Sequence, residues 1–320
     1  MNNIQSTTIS AIPGKTKTSS KGWISFNAVC CHHNGETQDR RGRGGIITDG
    51  EAISYHCFNC NFKTGWKPGR HISLKFRRLL QWMGVDTNTI QMLNIEALRI
   101  KDTVDVVEQD VEEIQVSFEP RDIPNNVPLS QAPKDIQKYA KDRCLPLSSC
   151  VWSNTTAGRL NRRVVIPFTW KGVQIGFTAR GVDDATRPKY FTNHDPNFVY
   201  GIDNQFNDSR IAILTEGVLD AVCIGGISTL GNTCNETQAQ IIDTLSREII
   251  LVPDHDRAGG SLIDAALEYG WSVSFPEWEN DVKDVNDAVV RYGKLFTLKS
   301  IIDAKETSSL KINLKRKRYV

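Results

Sequence analysis

Apolar and polar positions are most regularly ordered after residue 210, where buried-strand and amphipathic-helix patterns succeed one another. RIAILTEG (210–217) reads as a buried strand, VLDAVCIGG (218–226) as a helix, ISTLG (227–231) as a strand and NETQAQIIDTLSR (235–247) as a helix. EIILVPDHD (248–256), RAGGSLIDAALEYG (257–270) and WSVSFPEW (271–278) continue the alternation as strand, helix and strand. Short apolar runs separated by helices predict a parallel α/β sheet. Near the amino terminus the pattern is finer-grained. Trp23, Ile24 and Phe26, then Ile46, Ile47 and Tyr55, then Phe58 and Phe62 form brief apolar groups that predict short strands of a small β element.

In a parallel sheet, ligands bind beyond the carboxyl ends of the strands. That edge carries Glu216 after the first predicted strand, and Asp254 and Asp256 after the third. Carboxylates gathered without counter-ions raise one another's pKa, so a divalent cation is their natural partner. The D-x-D spacing sets both acids on one side of an extended backbone, with His255 on the other. Oxygen donors favour Mg²⁺ or Mn²⁺ over zinc. Gly217 admits a tight turn, and Ala258, Gly259 and Gly260 let a helix begin close to metal or phosphate. A D-x-D that merely caps a helix is the plainer reading; the matching Glu216 favours the metal.

At 320 residues, with 39% hydrophobic and 24% charged positions, the chain predicts two or three globular domains. Its net charge of +2 conceals segregation, since residues 1–80 carry twelve Lys or Arg against four Asp or Glu. A block that basic suits a polyanion. Residues 101–120 swing to −6, and 308–320 return to +5. The first ten residues lack a signal pattern and no apolar run approaches the ~18 residues of a membrane helix. A cytosolic protein without membrane contact is expected.

Eight cysteines in a reducing compartment point to metal rather than disulfides. Cys57 and Cys60 form a C-x-x-C knuckle, and Cys30 and His33, in the run CCHH, have the same gap. Adjacent side chains on an extended backbone diverge, so Cys30, His33, Cys57 and Cys60 are expected to hold a structural zinc in a ribbon of short strands, with Cys31 and His32 as bystanders. Cys31 paired with Cys60 is the alternative frame. Cys144, Cys150, Cys223 and Cys234 read as small apolar fillers. Arg40, Arg41 and Arg43 lie among glycines, close to Trp23, Tyr55, Phe58 and Trp66, a combination that suits single-stranded nucleic acid. Residues 159–189 hold seven basic and two acidic side chains, so Arg162, Arg163, Arg180, Arg187 and Lys189 are candidates for phosphate contact.

LTEGVLDAV, TLGNT, LVPDHDRAGG and KDVNDAVV resemble the successive motifs of a Toprim domain. RLNRRVVIPFTWKGVQIGFTARGVDDATRPKYFTN (159–193) is similar to the basic subdomain that precedes Toprim in bacterial and phage DNA primases. The paired zinc ligands resemble the ribbon of the same primases, and KYAKDRCL (138–145) resembles the short helix that begins their catalytic core. The resemblance covers about 23–66 and 135–290, and its layout is that of the standalone primases of tailed phages. No G-x-x-x-x-G-K-[ST] occurs, so a separate hexameric replicative helicase is the implied partner.

For the fold, the resemblance implies an α/β chain with an amino-terminal zinc ribbon (1–80) and an acidic, proline-rich linker (81–134). A mixed α+β basic subdomain (135–203), a parallel α/β Toprim subdomain (204–300) and a basic tail (301–320) follow. For function, it implies a nucleotidyltransferase that makes short RNA primers on single-stranded DNA from ribonucleoside triphosphates, with structural Zn²⁺ and catalytic Mg²⁺ or Mn²⁺. Glu216, Asp254 and Asp256 become metal ligands, Asp220 a supporting or second-metal acid, and Asp284 and Asp287 further members of the acidic edge. Arg163 and Lys189 become the basic catalytic pair. The alternatives are a Toprim recombination mediator that binds DNA without catalysis, against which the RRVVIPF-to-RPKY stretch argues, and a Toprim nuclease.

Overall fold

A computed structural model describes residues 2–103, 116–154, 158–183, 185–205, 209–255 and 260–319. Most of the acidic stretch, and Asp256 with the following Arg257, Ala258 and Gly259, lie outside the described residues. The chain divides into two units, one comprising 1–112 and 246–248, the other 113–245 and 249–320.

The first unit opens with α1 (Asn3–Ser10), whose first turn is capped by Asn2 accepting from the Gln5 N–H. Five strands follow: β1 (Lys17–Thr18), β2 (Ile24–Phe26), β3 (Gly44–Asp49), β4 (Ala52–Cys57) and β5 (Lys63–Trp66). They pair antiparallel in sequence order, as a meander. The β3–β4 hairpin closes on Gly50, whose positive φ a side chain would oppose. Two helices complete the unit, α2 (Leu74–Trp82) and α3 (Thr87–Thr103). Ser73 caps α2 by accepting from the Phe76 N–H, and Phe76, Leu79 and Leu80 turn inward at helical spacing. They join Ile4, Phe26, Ile46, Ile53, Tyr55 and Trp66 in one core, with Ile90, Leu93 and Ala97 of α3. Residues 81–103, expected as the start of a linker, are therefore part of this unit.

The second unit contains two sheets. The first has antiparallel order β10-β9-β8-β7-β6, built from β6 (Asn126–Pro128), β7 (Val151–Ser153), β8 (Arg163–Trp170), β9 (Val173–Gly181) and β10 (Tyr190–Asn193). Helix α4 (Lys134–Asp142) packs against it through Ile136 and Ala140. Because β6 belongs to this sheet, the expected linker ends earlier than residue 134.

The second sheet has order β12-β11-β13-β14-β15. Its elements are β11 (Ile211–Thr215), α5 (Val218–Ile224), β12 (Ile227–Ser228), α6 (Glu236–Asp243), β13 (Glu248–Val252), α7 (Gly260–Tyr269), β14 (Ser272–Ser274), α8 (Val285–Tyr292), α9 (Lys294–Asp303), β15 (Lys305–Glu306) and α10 (Ser309–Tyr319). The pairs β11/β12 and β13/β14 are parallel, as the alternating pattern predicts, while β15 adds an antiparallel edge. Ile249 to Val252 are all buried, the continuous apolar run of a strand covered on both faces. Each such side chain contributes about 1.5–3 kcal/mol relative to exposure. Asn235 and Gln238 form a reciprocal capping box at the start of α6.

The stretch expected as a basic tail beyond residue 300 instead carries the end of α9, β15 and α10. Ile312 is fully buried, and the Arg316 guanidinium binds Asp264 and the Gly260 carbonyl of α7. Among the described residues, no helix is long and apolar enough to cross a membrane.

Candidate functional site

In the first unit, the Sγ atoms of Cys30, Cys31, Cys57 and Cys60 lie within 4.8 Å of one another. Cys30–Cys60 and Cys31–Cys57 are separated by 3.4 and 3.6 Å. Zn–S bonds of about 2.3 Å in a tetrahedron require sulfurs about 3.8 Å apart, so the cluster fits zinc in size and donor type. The expected ligand His33 is replaced by Cys31. The backbone at Cys30 is already right-handed helical and residues 31–34 form a 3₁₀ turn, so neighbouring side chains are not opposed as they would be on a strand. His33 stacks on Trp82 instead, with ring centroids 4.5 Å apart.

Polar groups converge on the sulfurs. The Asn59 N–H reaches Cys57 at 3.4 Å, its carboxamide reaches Cys31 at 3.4 Å, and the Tyr55 hydroxyl lies 3.2 Å from Cys30. Burial pushes the Cys30 thiol up, and burial pushes Cys31 up to about 11. At Cys57 burial acts the same way, but the Cys60 and Asn59 N–H groups together with the Cys31 and Cys60 thiols outweigh it and hold the thiol below its ordinary value. The knuckle thus favours a thiolate, the form that binds metal.

The arginine loop beside this cluster is only partly free. The Asp39 carboxylate accepts from the N–H groups of Ala28, Arg41 and Arg43, and the Arg43 side chain binds Asn59 and Asp39. Arg43 therefore ties the loop to the knuckle, leaving Arg40 and Arg41 exposed. Trp66, expected as a stacking surface, is 2% exposed and donates from Nε1 to the Arg70 carbonyl. Tyr55 is equally buried. The accessible aromatic is Phe58, 60% exposed on the knuckle itself, edge-on to Trp23 and against His56. Trp23 lies over Gly45, where a Cβ would come within 2.8 Å of its ring.

In the second unit, Glu216 directly follows β11 and Asp254 lies two residues after β13. Strand order reverses between these neighbours, since the chain leaves β11 toward β12 on one side and continues through β13 and β14 on the other. Such a reversal opens a crevice at the carboxyl ends of the two strands. Asp220, on the first turn of α5, joins the edge from within the fold. It is almost wholly buried and its pKa is raised well above the ordinary carboxyl value, first by burial and then by Asp284 and Asp254. Asp284 caps α8 and is raised by burial too. Asp220 Oδ2 lies 2.4 Å from where a Cβ on Gly217 would stand, so only glycine leaves room for it.

A buried acid whose pKa is raised by neighbouring acids belongs to a donor set suited to a hard divalent cation. Among the described residues, only the four cysteines bring three or more donors within 4.8 Å of one another, so the carboxylates form a looser rim. Asp287 pairs with Arg143 at 3.3 Å and is near enough to Asp284 to raise its pKa.

The basic residues divide into two kinds. Arg163, expected in the catalytic pair, is 2% exposed and its guanidinium donates to the carbonyls of Ala179, Pro188 and Lys189. It braces the loop between β9 and β10 from inside, because it begins β8 on the face turned toward that loop. Arg162 bridges Asp135 and Asp183, each at 2.7 Å. The Thr186 hydroxyl and Arg162 hold the Asp183 carboxyl down at about 2. Arg187 and Lys189 are exposed at the tip of the braced loop. Arg180 is buried, donates to the Tyr139 hydroxyl and lies over the Tyr190 ring, 4.5 Å from its centroid. Sequence reasoning does not single out Tyr190, Arg143 or Asn286. Tyr190 adjoins the acidic edge, with Asp220 and Arg143 near enough to bear on its hydroxyl. Its position directly after Lys189 is the one signal that could have marked it.

No family model matches the chain. It is similar to the DNA primase of Clostridium acetobutylicum, 25% identical over 176 residues, which cover 48% of this chain and 29% of that protein. It is also similar to the DNA primase of Mycoplasma genitalium, 24% identical over 159 residues, covering 44% and 26%. The chain thus spans under a third of the length of these relatives. Among solved structures, the zinc-binding and RNA polymerase domains of the Aquifex aeolicus primase match 96% of this chain and 86% of that one, at 15% identity and a TM-score of 0.44. The DnaG primase catalytic domain bound to single-stranded DNA matches 58% and 63%, at 21% identity and a TM-score of 0.42.

Proposed function

We propose that this chain is a DNA primase, a nucleotidyltransferase that joins ribonucleotides on a single-stranded DNA template, acting in the cytoplasm beside a separate helicase. The observation that carries the reading is the carboxylate edge. Glu216 and Asp254 follow adjacent strands at the reversal of strand order, with Asp220 and Asp284 beside them. On this reading Glu216, Asp254 and Asp256, with Asp220 in support or at a second metal, hold Mg²⁺ or Mn²⁺. The cation would lower the pKa of the attacking 3′-hydroxyl and offset charge on the leaving pyrophosphate.

The protein's own groups supply the rest. Lys189 and Arg187, on a loop braced by Arg163, meet triphosphate or template phosphate as exposed cations. Tyr190, backed by Arg180, offers a ring face for a base at the same edge. In the first unit, Cys30, Cys31, Cys57 and Cys60 hold zinc, and Phe58 with Arg40 and Arg41 meets the template. A tethered template-binding unit raises the local concentration of template during the first dinucleotide step, when two free nucleotides must be held together.

The test is to incubate the protein with single-stranded DNA, four ribonucleoside triphosphates and Mg²⁺ and to resolve the products. Short RNA is expected from the wild-type chain. Asp254→Ala should lose dinucleotide formation by 10²-fold or more while binding DNA as before. Cleaved DNA without RNA would make the chain a nuclease, and binding without either product would make it a mediator.

A further inference from the structure

We propose that Asn286 is a positioning residue for the carboxylate edge, aligning Asp220 through the first turn of α8 while Arg143 holds that turn against the end of α4. The inference rests on the metal-dependent reading above. Asn286 is 2% exposed, and its side chain makes a reciprocal pair with Arg143. The carboxamide donates from Nδ2 to the Arg143 carbonyl at 2.8 Å and accepts at Oδ1 from Arg143 Nη1 at 3.1 Å. Its backbone N–H donates to Asp220 Oδ1 at 2.8 Å, and the next N–H, of Asp287, donates to Asp284 Oδ1 at 2.7 Å.

Three elements therefore meet at one residue. The turn that fixes two carboxylates is itself fixed by Asn286, and the anchor is a guanidinium that also pairs with Asp287 at 3.3 Å. Asp220 Oδ1 is held by the Asn286 N–H, and Oδ2 occupies the space a Cβ on residue 217 would need. A small movement of α8 would thus rotate the carboxylate rather than leave it in place. The residue type follows from the task. An amide gives and receives a hydrogen bond at once, as Arg143 requires, and adds no charge to an edge already crowded with acids. A carboxylate in the same place could not donate to the Arg143 carbonyl. Groups that orient a metal ligand without touching the metal typically matter 10- to 100-fold in metal affinity.

The experiment measures Mn²⁺ affinity of the full chain by the electron paramagnetic resonance signal of free Mn²⁺, with thermal unfolding and zinc content recorded in parallel. Asn286→Leu keeps the branching of the side chain, with more bulk, and removes both side-chain bonds; Arg143→Lys keeps the charge and loses the planar fork. Each should weaken Mn²⁺ binding about tenfold with zinc content unchanged. Because both cut the same joint, the double variant should bind Mn²⁺ no more weakly than the weaker single one. Wild-type affinity in the folded single variants overturns the inference, as do losses that simply add. Should Asn286→Leu fail to fold, the part-exposed Arg143→Lys decides alone. Asp220→Asn separates the two levels. Mn²⁺ uptake lost in Asp220→Asn but untouched by the other variants sinks only this inference, whereas a wild-type chain that takes up no Mn²⁺ sinks the metal reading itself.

Discussion

Cys30 and Cys31 are consecutive, and both face the same cluster because the chain enters a 3₁₀ turn at that point. Spacing arguments assume a backbone, and the assumption decides the answer. On a strand, Cys31 points away and His33 is the natural partner; on a tight turn, Cys31 swings round and His33 is left to stack on Trp82. The two residues make separable predictions. Cys31→Ser should remove zinc, read by atomic absorption, whereas His33→Ala should keep a full complement and lose only the ring contact. A metal-free His33→Ala would restore the histidine as ligand. Arg163 teaches the same lesson with charge. Clustered arginines announce phosphate contact in a sequence, yet one of them is spent on three backbone carbonyls and another on two aspartates. Which arginine faces outward depends on strand register, and that is fixed by pairing partners far along the chain.

At the scale of elements, the parallel sheet was legible because its central strands are unbroken apolar runs closed by acids, as in ILVPD after Ile249. Edge elements carry less signal. Strand β15 is two residues long, and α10 is dominated by lysine and arginine, so composition alone presents both as a solvated tail. What fixes α10 is Ile312, which is fully buried, together with the Arg316 contacts to α7. Ile312→Ala should therefore cost about 2–5 kcal/mol, seen as a lowered urea midpoint at constant slope; an unchanged midpoint would return the helix to the status of a tail. Helix α3 is obscured in the sequence for a different reason. Ile90, Leu93 and Ala97 recur at helical spacing, but the neighbouring acidic block drew the segment into a linker. The carboxylate edge was readable from strand ends alone, while the Arg143–Asn286 pair, 143 positions apart, left no local trace.

At the scale of the molecule, the two units have separate cores, one gathered around the thiol cluster and the others around the two sheets of the second unit. Metal binding to a small structural site contributes on the order of 10 kcal/mol to folding, so removing zinc should act on one unit and spare the other. With a strong chelator present, calorimetry should show the transition of the first unit falling while that of the second stays; a single transition that moves as a whole would contradict this. The second unit has a different kind of robustness. Glu216 and Asp254 are neighbours across a pair of adjoining strands, although 37 residues of intervening chain separate them. The distance between the two acids is set by strand-to-strand hydrogen bonding, not by the length of the detour between them. The turns on either side of α6 can therefore gain or lose residues over generations without respacing the acids, so lineage-specific insertions would accumulate there at little chemical expense.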